Sequence, residues 1–315
     1  MRWLKQGRIF DPASHAGWGS HAQGPTVLVR DDYLRIYFAS RPRPNISLPS
    51  YIDVDAVDPQ RILSIHQSPL LEVGGRGSFD EFGVMPCDIV DNGDEVWLFY
   101  TGWSRGTTVT YVLSVGLAVS RDGGASFRKA FEGPVLDRTR YEPFMTMAAF
   151  ILREGERWHA WYGSGIGFYP SEGKYEPRYV IKYACSLDGM EWHQPNVTCI
   201  EPKTEYESNT RPTVIKVNDV YHMWFAYRGA EDYRGGKNSY RIGYARSSDA
   251  VKWQREDAAS GIAVSDEGWD STMLAYPYVV RVRDRYLMFY NGDGFGASGF
   301  GYAIGYPDEG SLGFP

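Results

Sequence analysis

Acidic residues follow an aromatic residue at four regularly spaced places in this sequence. The four pairs, which recur every 62 to 65 residues, are Phe79-Asp80, Tyr141-Glu142, Tyr206-Glu207 and Trp269-Asp270. Two carboxyl groups that face one substrate can act as general acid and general base. A repeated feature also has a structural interpretation, in which each acid braces a connecting loop by accepting hydrogen bonds from backbone N–H groups. Glu81 follows Asp80 as a second acid that does not recur in the other repeats. The predicted acid–base residues are Glu81 and, from the repeated pairs, Glu142 and Glu207.

Polar residues that break the repeat form a second group of candidates, because repetition explains structure and exceptions point to function. The predicted substrate-binding residues are His21, Gln23, Trp103, Arg105, Asn209, Arg211, Arg228, Tyr276 and Asp293. A guanidinium such as that of Arg211 can hold a carboxylate or a phosphate with a rigid fork of donors. The alternative for Arg211 is an ion pair with Glu142 or Glu207. Asp88 is expected to point into a central channel or to cap a neighbouring strand group.

Four strands recur in each of five repeats, and these elements must position the candidate residues. In the fourth repeat, Pro212 to Val217 and Tyr221 to Tyr227 alternate in polarity, as paired strands do. Arg241 to Arg246 predicts a third strand, and a short fourth strand follows near Trp253. The end of the second strand recurs at 62- to 65-residue spacing, at Phe38, Tyr100, Tyr162, Phe225 and Tyr290. Four antiparallel strands in about fifty residues match one blade of a β-propeller.

The sequence therefore predicts an all-β fold: a single five-bladed β-propeller with four-stranded antiparallel blades, in one domain over residues 1-315. The predicted blades are residues 18-73, 79-136, 141-200, 206-264 and 269-315. The last blade is short, so residues 1-17 are expected to supply its outer strand and close the ring. Residues 40–50, SRPRPNISLPS, contain three prolines, which predict a loop and not a strand.

This pattern resembles the five-bladed β-propeller glycosidases, the superfamily that includes glycoside hydrolase families 32, 43 and 130. The resemblance covers the whole chain. It rests on the aromatic–acid pairs, on second strands such as LFYTG and MWFAYRG, on a turn of the SxDGxxW kind, and on a proline in the innermost strand, at Pro25, Pro86, Pro212 and Pro277. The resemblance implies a substrate in a funnel on the propeller axis. It also implies catalytic acids within a residue or two before the proline.

The chain departs from the family pattern at these positions. The residues before the proline position are Gln23-Gly24, Val84-Met85, Thr146-Met147, Thr210-Arg211 and Ala275-Tyr276, and none is acidic. Two functions stay open. One is a carbohydrate-active enzyme that hydrolyses or phosphorolyses a glycosidic bond, with its carboxyl groups, about 5–9.5 Å apart for hydrolysis, placed elsewhere. The other is a non-catalytic glycan-binding or scaffold propeller, with a place in polysaccharide assembly.

Connections between second and third strands are expected on the same face as the starts of the innermost strands. They are rich in glycine, aromatic residues and both signs of charge, which suits a carbohydrate-binding rim, although variable solvated loops share this composition. The rim candidates include Ser104, Phe168, Tyr169, Glu172, Glu231, Asp232, Arg234, Lys237 and Phe295. Because Arg211 and several rim residues are cationic, the expected partner is a carbohydrate or sugar-containing small molecule with an anionic group.

Composition indicates which binding partners and which cellular compartment to expect. A net charge of -6 argues against nucleic acid as a partner. No apolar run approaches the roughly 18 residues of a membrane span, and the N-terminal MRWLKQGRIFDPA lacks the apolar part of a signal peptide, so a cytoplasmic location is expected. The three cysteines are predicted to be buried thiols. No metal-ligand or dinucleotide motif occurs, so neither a metal nor a cofactor is expected.

Overall fold

The computed structural model describes residues 1–15, 17–171 and 173–306. Glu172 and the predicted end of the fifth blade, residues 307–315, lie outside the described residues. In the described ranges strands dominate, and the helical segments are short turns at Pro12–Ser14, Asp257–Ala259 and Asp293–Gly296. The all-β fold predicted from the sequence is confirmed.

The strands fall into five groups, and the first strand of the chain, β1 (Arg2–Phe10), joins the last group. The first two groups are β2 (Gln23–Val29), β3 (Tyr33–Arg43), β4 (Ile46–Asp55) and β5 (Ile62–Ile65), then β6 (Gly83–Asp91), β7 (Val96–Ser104), β8 (Val112–Ser120) and β9 (Arg128–Lys129). The next two are β10 (Thr146–Glu154), β11 (Arg157–Ser171), β12 (Lys174–Ser186) and β13 (His193–Ile200), then β14 (Ser208–Val217), β15 (Val220–Arg228), β16 (Arg241–Ser247) and β17 (Gln254–Arg255). The fifth adds β18 (Ala275–Val282), β19 (Arg285–Asn291) and β20 (Phe300–Tyr306).

The five groups form blades around one axis. Their first strands contact one another in the closed order β2, β6, β10, β14, β18 and back to β2. Within each blade, consecutive strands pair antiparallel from the axis outward. In the fifth blade β1 pairs with β20, from Arg2 opposite Tyr306 to Phe10 opposite Phe300. The two ends of the described chain thus meet in one sheet, which closes the ring and covers the edge of β20.

Apolar side chains pack between neighbouring blades. One cluster joins Leu28 and Tyr37 of blade one to Tyr100 of blade two. Another joins blade two to blade three, where the rings of Trp97 and Trp158 stack with centroids 5.3 Å apart. Each blade is covered on both faces, so both sets of alternating strand residues are apolar in the middle strands. This packing places the five innermost strands around a narrow axis.

Two residues that recur in the repeat, the acid of the aromatic–acid pair and the tyrosine at the end of the second strand, are joined by a hydrogen bond. A tyrosine hydroxyl at the end of the second strand donates to the acid of the aromatic–acid pair, over 2.9 to 3.2 Å, in Tyr100–Asp80, Tyr162–Glu142 and Tyr290–Asp270. Blade four has Phe225 at the tyrosine position, and Glu207 pairs with Arg255 instead, at 2.5 Å. The brace is therefore made to a side chain, and the prediction of a bond to backbone N–H groups is wrong for these acids.

Two segments predicted to be loops form strands. Residues 40–50 belong to β3 and β4, which turn tightly at Asn45, a residue with a φ of 61°. Pro42 is tolerated because it falls in a bulge between the paired positions Ser40 and Arg43, where the ladder has no need of its N–H. Pro44 lies in the turn, and Pro49 lies within β4 opposite Ala39. The rim of blade three is likewise a long hairpin, since β11 and β12 pair as far as Ser171 and Lys174.

Two of the three cysteines are buried, as the sequence predicts. Cys87 and Cys199 are buried and Cys185 is partly buried, all as free thiols. Among the described parts of the chain, no helix is long and apolar enough to cross a membrane.

Candidate functional site

Every innermost strand carries a bulge at the same level, near its start. The bulges fall between Gln23 and Thr26, Pro86 and Asp88, Met147 and Phe150, Thr210 and Thr213, and Ala275 and Tyr278. Three non-glycine residues there, Ala148, Arg211 and Tyr276, have left-handed backbones with φ of 49°, 50° and 54°. That conformation is unfavourable for them and persists only where the surroundings enforce it. A bulge changes the direction of the side chains around it. Here the five bulges, one from each innermost strand, lie together at the axis.

A small cavity, called the inner cavity below, lies on the axis where the bulges meet. Its volume is about 60 Å³, and each blade contributes one of the residues before the proline position: Gln23, Met85, Met147, Arg211 and Tyr276. These are the positions at which the family resemblance places catalytic acids. None of the lining residues in the described ranges carries a carboxylate.

A wider pocket, called the vestibule below, adjoins the inner cavity and has a volume of about 230 Å³. Its cationic residues are Arg41 from the first blade's hairpin and Arg105 from the second blade. Trp103 and Tyr111 line both spaces, and their ring centroids are 4.9 Å apart, so they form the partition. As in the inner cavity, the vestibule residues that the structure describes include no carboxylate. The two spaces together are called the funnel.

Arg41 is a funnel residue that the sequence reasoning missed. Its Nη2 donates to Gln23 Oε1 at 3.2 Å, and Gln23 Nε2 donates in turn to Tyr276 Oη at 3.1 Å. Burial lowers the pKa of Arg41. The repeat could have found this residue, because Arg41 stands three positions after Phe38 as Trp103 stands three positions after Tyr100. The loop predicted over residues 40–50 concealed the signal.

Arg211 lies across the axis and is 1% exposed. From blade four, its guanidinium donates to the carbonyls of Pro86 at 3.0 Å and Pro25 at 3.1 Å, and to Thr26 Oγ1 at 2.7 Å. The fork therefore ties blade four to blades one and two. Burial lowers the pKa of Arg211. Its Nε has no partner, and Arg211 belongs to the lining of the inner cavity.

The ion pair expected for Arg211 is absent from the described part of the chain. Glu142 instead lies 3.8 Å from Lys182 Nζ, and Glu207 lies 2.5 Å from Arg255 Nη1. The hydrogen-bond acceptors of Arg211 are carbonyl and hydroxyl oxygens, and the carboxyl group that acts on its charge is that of Asp88.

The three predicted acid–base residues lie outside the funnel lining. Glu142 is 1% exposed and accepts a hydrogen bond from Ser164 Oγ at 2.6 Å, besides those from Tyr162. Glu81 accepts the backbone N–H of Gly77 at 2.8 Å, in the loop that precedes blade two. The structure does not bring Glu81, Glu142 and Glu207 together around the inner cavity. Their acid–base role stays a prediction without geometric support.

Five of the nine predicted substrate-binding residues line the funnel: Gln23, Trp103, Arg105, Arg211 and Tyr276. His21 lies near the vestibule, where burial and the charge of Arg41 lower its pKa to about 4. The Arg105 guanidinium stacks over the ring of Phe82, 4.5 Å from its centroid. The structure brings these five residues together, and their role in substrate binding stays a prediction.

The other three predicted residues have structural surroundings. Asn209 is fully buried and donates to Ile200 O at 3.4 Å. Arg228 is enclosed by tyrosines and lies 3.9 Å from the ring centroid of Tyr233. Asp293 caps the fifth blade's connection, accepting the backbone N–H groups of Thr272 and Met273 at 2.9 Å. None of the three belongs to the described funnel lining.

Asp88 is a buried carboxylate that joins three blades. It lies in β6 of blade two and accepts Tyr278 Oη of blade five at 2.6 Å and Ile151 N of blade three at 2.5 Å. Of the two roles expected for it, the structure places it in the cap between blades. Burial raises its pKa from 3.8 to about 7, against the lowering effects of these hydrogen bonds and of Arg211.

This shift predicts that Asp88 makes stability depend on pH. Between the two pKa values the folded protein holds a proton that the unfolded chain has released, so the free energy of unfolding falls as pH rises from about 4 to 7. Asp88→Asn should flatten this part of the profile, measured by urea unfolding across that range. Asp91→Asn, at the exposed end of the same strand, is the control. An unchanged slope in Asp88→Asn would contradict the prediction.

Within the described residues, no group of three or more histidine, cysteine, aspartate and glutamate side chains could hold a metal ion. The polar side chains of the described funnel lining are guanidinium, hydroxyl, amide and indole groups, and they lie around aromatic rings. That arrangement suits recognition of an acceptor-rich ligand.

Comparison with solved structures identifies the fold. The chain superposes on a glycoside hydrolase with a TM-score of 0.73 and 18% identity, over 96% of this chain and 92% of that one. It superposes on a thermostable family-43 glycoside hydrolase with a TM-score of 0.68 and 16% identity, over 94% and 93% of the two chains. A third match is the catalytic domain of a Coprinopsis cinerea GH62 alpha-L-arabinofuranosidase, at 0.63 and 11%, over 96% of each chain. The resemblance to the β-propeller glycosidase-like superfamily is confirmed at the level of the fold.

Sequence comparison identifies the family. No family model matches the chain. The chain is 37% identical over 307 residues to "Uncharacterized protein Rv1502" of Mycobacterium tuberculosis strain H37Rv, which covers 96% of this chain and 99% of that protein. The same values hold for "Uncharacterized protein MT1551" of M. tuberculosis strain CDC 1551. This chain therefore belongs to the same protein family as Rv1502 and MT1551, with the fold of the propeller glycosidases.

Proposed function

We propose that this protein is a carbohydrate-active propeller whose funnel binds a sugar that carries an anionic group. One observation carries the proposal: the funnel lining contains Arg41, Arg105 and Arg211, and no carboxylate among the residues described. The superfamily fold, which is shared with glycoside hydrolases, supports the sugar part of the proposal. The arginines support the anionic part.

Two of the funnel arginines, Arg41 and Arg211, are largely removed from water. Removing a guanidinium from water is costly unless a partner of opposite charge compensates it. Burial lowers the pKa of both Arg41 and Arg211, so the charged form of each is less stable here than in water. A bound carboxylate or phosphate would offset that cost and add charge-assisted hydrogen bonds. Arg105 is exposed, so its fork is accessible from solvent.

The aromatic residues of the funnel suit the rest of such a ligand. Trp103 and Tyr111 present their rings at the partition, and Phe82 lies beneath the Arg105 guanidinium. Flat rings pack against the apolar faces of sugar rings, while hydroxyl groups such as that of Tyr276 bond to their edges. A vestibule of about 230 Å³ has room for a small sugar rather than a long glycan chain.

Hydrolysis is less well supported than binding. It needs two carboxyl groups on either side of the scissile bond, and the predicted acids Glu81, Glu142 and Glu207 lie outside the lining. Turnover by hydrolysis or phosphorolysis therefore stays a narrower hypothesis. The alternative of a non-catalytic glycan-binding propeller fits the same geometry. A cytoplasmic role on activated sugars in polysaccharide assembly remains part of this proposal.

The ligand's charge provides the test. Hexose 1-phosphates, hexuronates and nucleotide sugars should raise the melting temperature, and neutral monosaccharides and disaccharides should not. Arg105→Gln should weaken binding of the best anionic ligand about ten-fold or more in calorimetric titration, since hydrogen bonds to charged groups contribute ~1.5–3 kcal/mol. The affinity should also fall with added salt.

Arg43→Gln is the matched control, because Arg43 lies on the same hairpin as Arg41 but outside the vestibule lining. Its variant should bind as the parent does. The proposal fails if neutral sugars bind as tightly as the anionic ones, or if Arg105→Gln and Arg43→Gln behave alike.

A further inference from the structure

Three residues that line the inner cavity each have a buried polar atom without a hydrogen-bond partner in the described protein. The atoms are Trp103 Nε1, Thr210 Oγ1 and Arg211 Nε. Thr210 and Arg211 are 3% and 1% exposed. Buried polar groups in native proteins are nearly always paired, so each exception calls for an explanation. Three exceptions in one cavity point to a ligand group that pairs with all of them.

The unpaired atoms are hydrogen-bond donors. An indole N–H and a guanidinium N–H can only donate, and a threonine hydroxyl can do so. Tyr276 Oη already accepts from Gln23 Nε2, so its own hydrogen is available as well. The inner cavity has no described carboxylate to accept a proton from a ligand. The complementary group is rich in acceptors and carries no donor, as a carboxylate is and a sugar hydroxyl is not.

Size selects among acceptor-rich groups. The inner cavity, with about 60 Å³, is the smaller of the two spaces, beside about 230 Å³ for the vestibule. A planar carboxylate is the smallest of the candidate groups and is therefore assigned to the smaller space. A tetrahedral phosphate or a sugar ring is larger, and the partition of Trp103 and Tyr111 separates the inner cavity from the vestibule, where larger groups fit.

The vestibule has a different complement of donors. Arg41 donates one hydrogen bond, from Nη2 to Gln23, so its other N–H groups can bond a ligand. The guanidinium of Arg105 lies over the ring of Phe82. The hydroxyl group of Ser47 lies in the same lining, whereas Ser104 and Thr110 already donate to the carbonyls of Val112 and Tyr175. Two guanidinium forks match the several oxygens of a phosphate.

We propose that the ligand is a phosphorylated sugar acid, with its carboxylate in the inner cavity and its phosphate in the vestibule. This inference rests on the proposed function, because it takes the funnel as the sugar site and assigns the ligand's two anionic groups within it. The sugar ring then lies against the Trp103–Tyr111 partition. Nucleotide-activated uronic acids share this chemistry, since their first phosphate takes the same place.

Calorimetric titration with four defined probes tests the assignment. The probes are glucuronic acid 1-phosphate, galacturonic acid 1-phosphate, glucose 1-phosphate and glucuronate, at one salt concentration. At least one uronic acid phosphate should bind ten-fold or more tightly than both glucose 1-phosphate and glucuronate, because each of those lacks one anionic group.

Thr210→Val separates a ligand contact from a structural role. Because the Thr210 hydroxyl has no protein partner, its removal should leave the melting temperature of the free protein unchanged or raise it. The same change should weaken the uronic acid phosphate about ten-fold and leave glucose 1-phosphate unaffected. Thr213→Val is the matched control in the same strand. Its hydroxyl accepts Val279 N at 2.9 Å, so that variant should lose thermal stability and keep the parent's ratio of affinities.

The outcomes distinguish this inference from the proposed function. If glucose 1-phosphate binds as tightly as both uronic acid phosphates, the dianionic ligand is wrong and the anionic-sugar funnel stands. If Thr210→Val leaves the affinity ratio unchanged, the inner cavity holds water and not the carboxylate, which also overturns the inference. If none of the three phosphorylated probes binds more tightly than neutral glucose, the proposed function fails and this inference fails with it.

Discussion

Arg211→Lys should destabilise the whole propeller by about 2–4 kcal/mol, the sum expected when two or more buried acceptors lose a charged partner. Lysine keeps the charge, but one ammonium cannot bond Pro86 O in blade two and Pro25 O in blade one with a planar fork. Urea unfolding followed by tryptophan fluorescence gives the free energy of unfolding. The sequence alone leaves two results open. Stability is unchanged and anion binding is weaker if Arg211 recognises the ligand, whereas stability is lower and discrimination is unchanged if Arg211 pairs with a glutamate.

Arg105→Lys is the control for Arg211→Lys. Arg105 is exposed, so its change should alter stability by no more than about 0.5 kcal/mol. If Arg211→Lys unfolds at the parent's denaturant concentration, the fork does not brace the axis. The residue would then act in ligand recognition alone.

Glu142→Gln should lower the free energy of unfolding by about 3–5 kcal/mol, the scale for removing one partner of a buried charged pair. The carboxylate accepts from Tyr162 and Ser164 and faces Lys182, whose side chain is 7% exposed. Glutamine would turn amide hydrogens toward a hydroxyl donor and leave the lysine without its carboxylate. Denaturant unfolding of the purified variant measures the loss.

Glu81→Gln is the matched control, because the Glu81 carboxylate bonds a single backbone N–H in a loop. Its variant should lose less than about 1 kcal/mol. The opposite pattern would be a fully stable Glu142→Gln that abolishes turnover of a glycoside which the parent cleaves. That result would restore Glu142 as an acid–base residue and contradict the bracing role.

The blades were predictable because their signals are local and repeated. Each blade buries both faces against its neighbours, so every copy needs the same apolar strands. In three of the four pairs the acid bonds a tyrosine 20 residues away in the same blade, as Glu142 bonds Tyr162, and the regular spacing of both residues reflects that bond. The positions of the funnel residues followed from the same register. Gln23, Met85 and Tyr276 line the cavity at the place that the proline marker predicts.

The orientation of the carboxylates was not predictable. The acid of each pair could face the funnel or the tyrosine of its own blade, and both arrangements leave the same spacing in the sequence. Cross-axis contacts are also invisible in one sequence, since Arg211 bonds partners 125 and 186 positions away. Sequence periodicity cannot pair residues at such separations, because nothing in the repeat links blade four to blade one.

The five-fold repeat, the all-β blades and the polar exceptions near the axis can all be read from the order of the amino acids. That three of the four acids bond a tyrosine of their own blade, and that Arg41 joins Arg105 and Arg211 around one funnel, became visible in the folded ring alone. The difference arises because local patterning dictates which faces of a strand are apolar. The direction of a polar side chain at the axis depends instead on the bulges and on the blades opposite, which the chain brings together only when the ring closes.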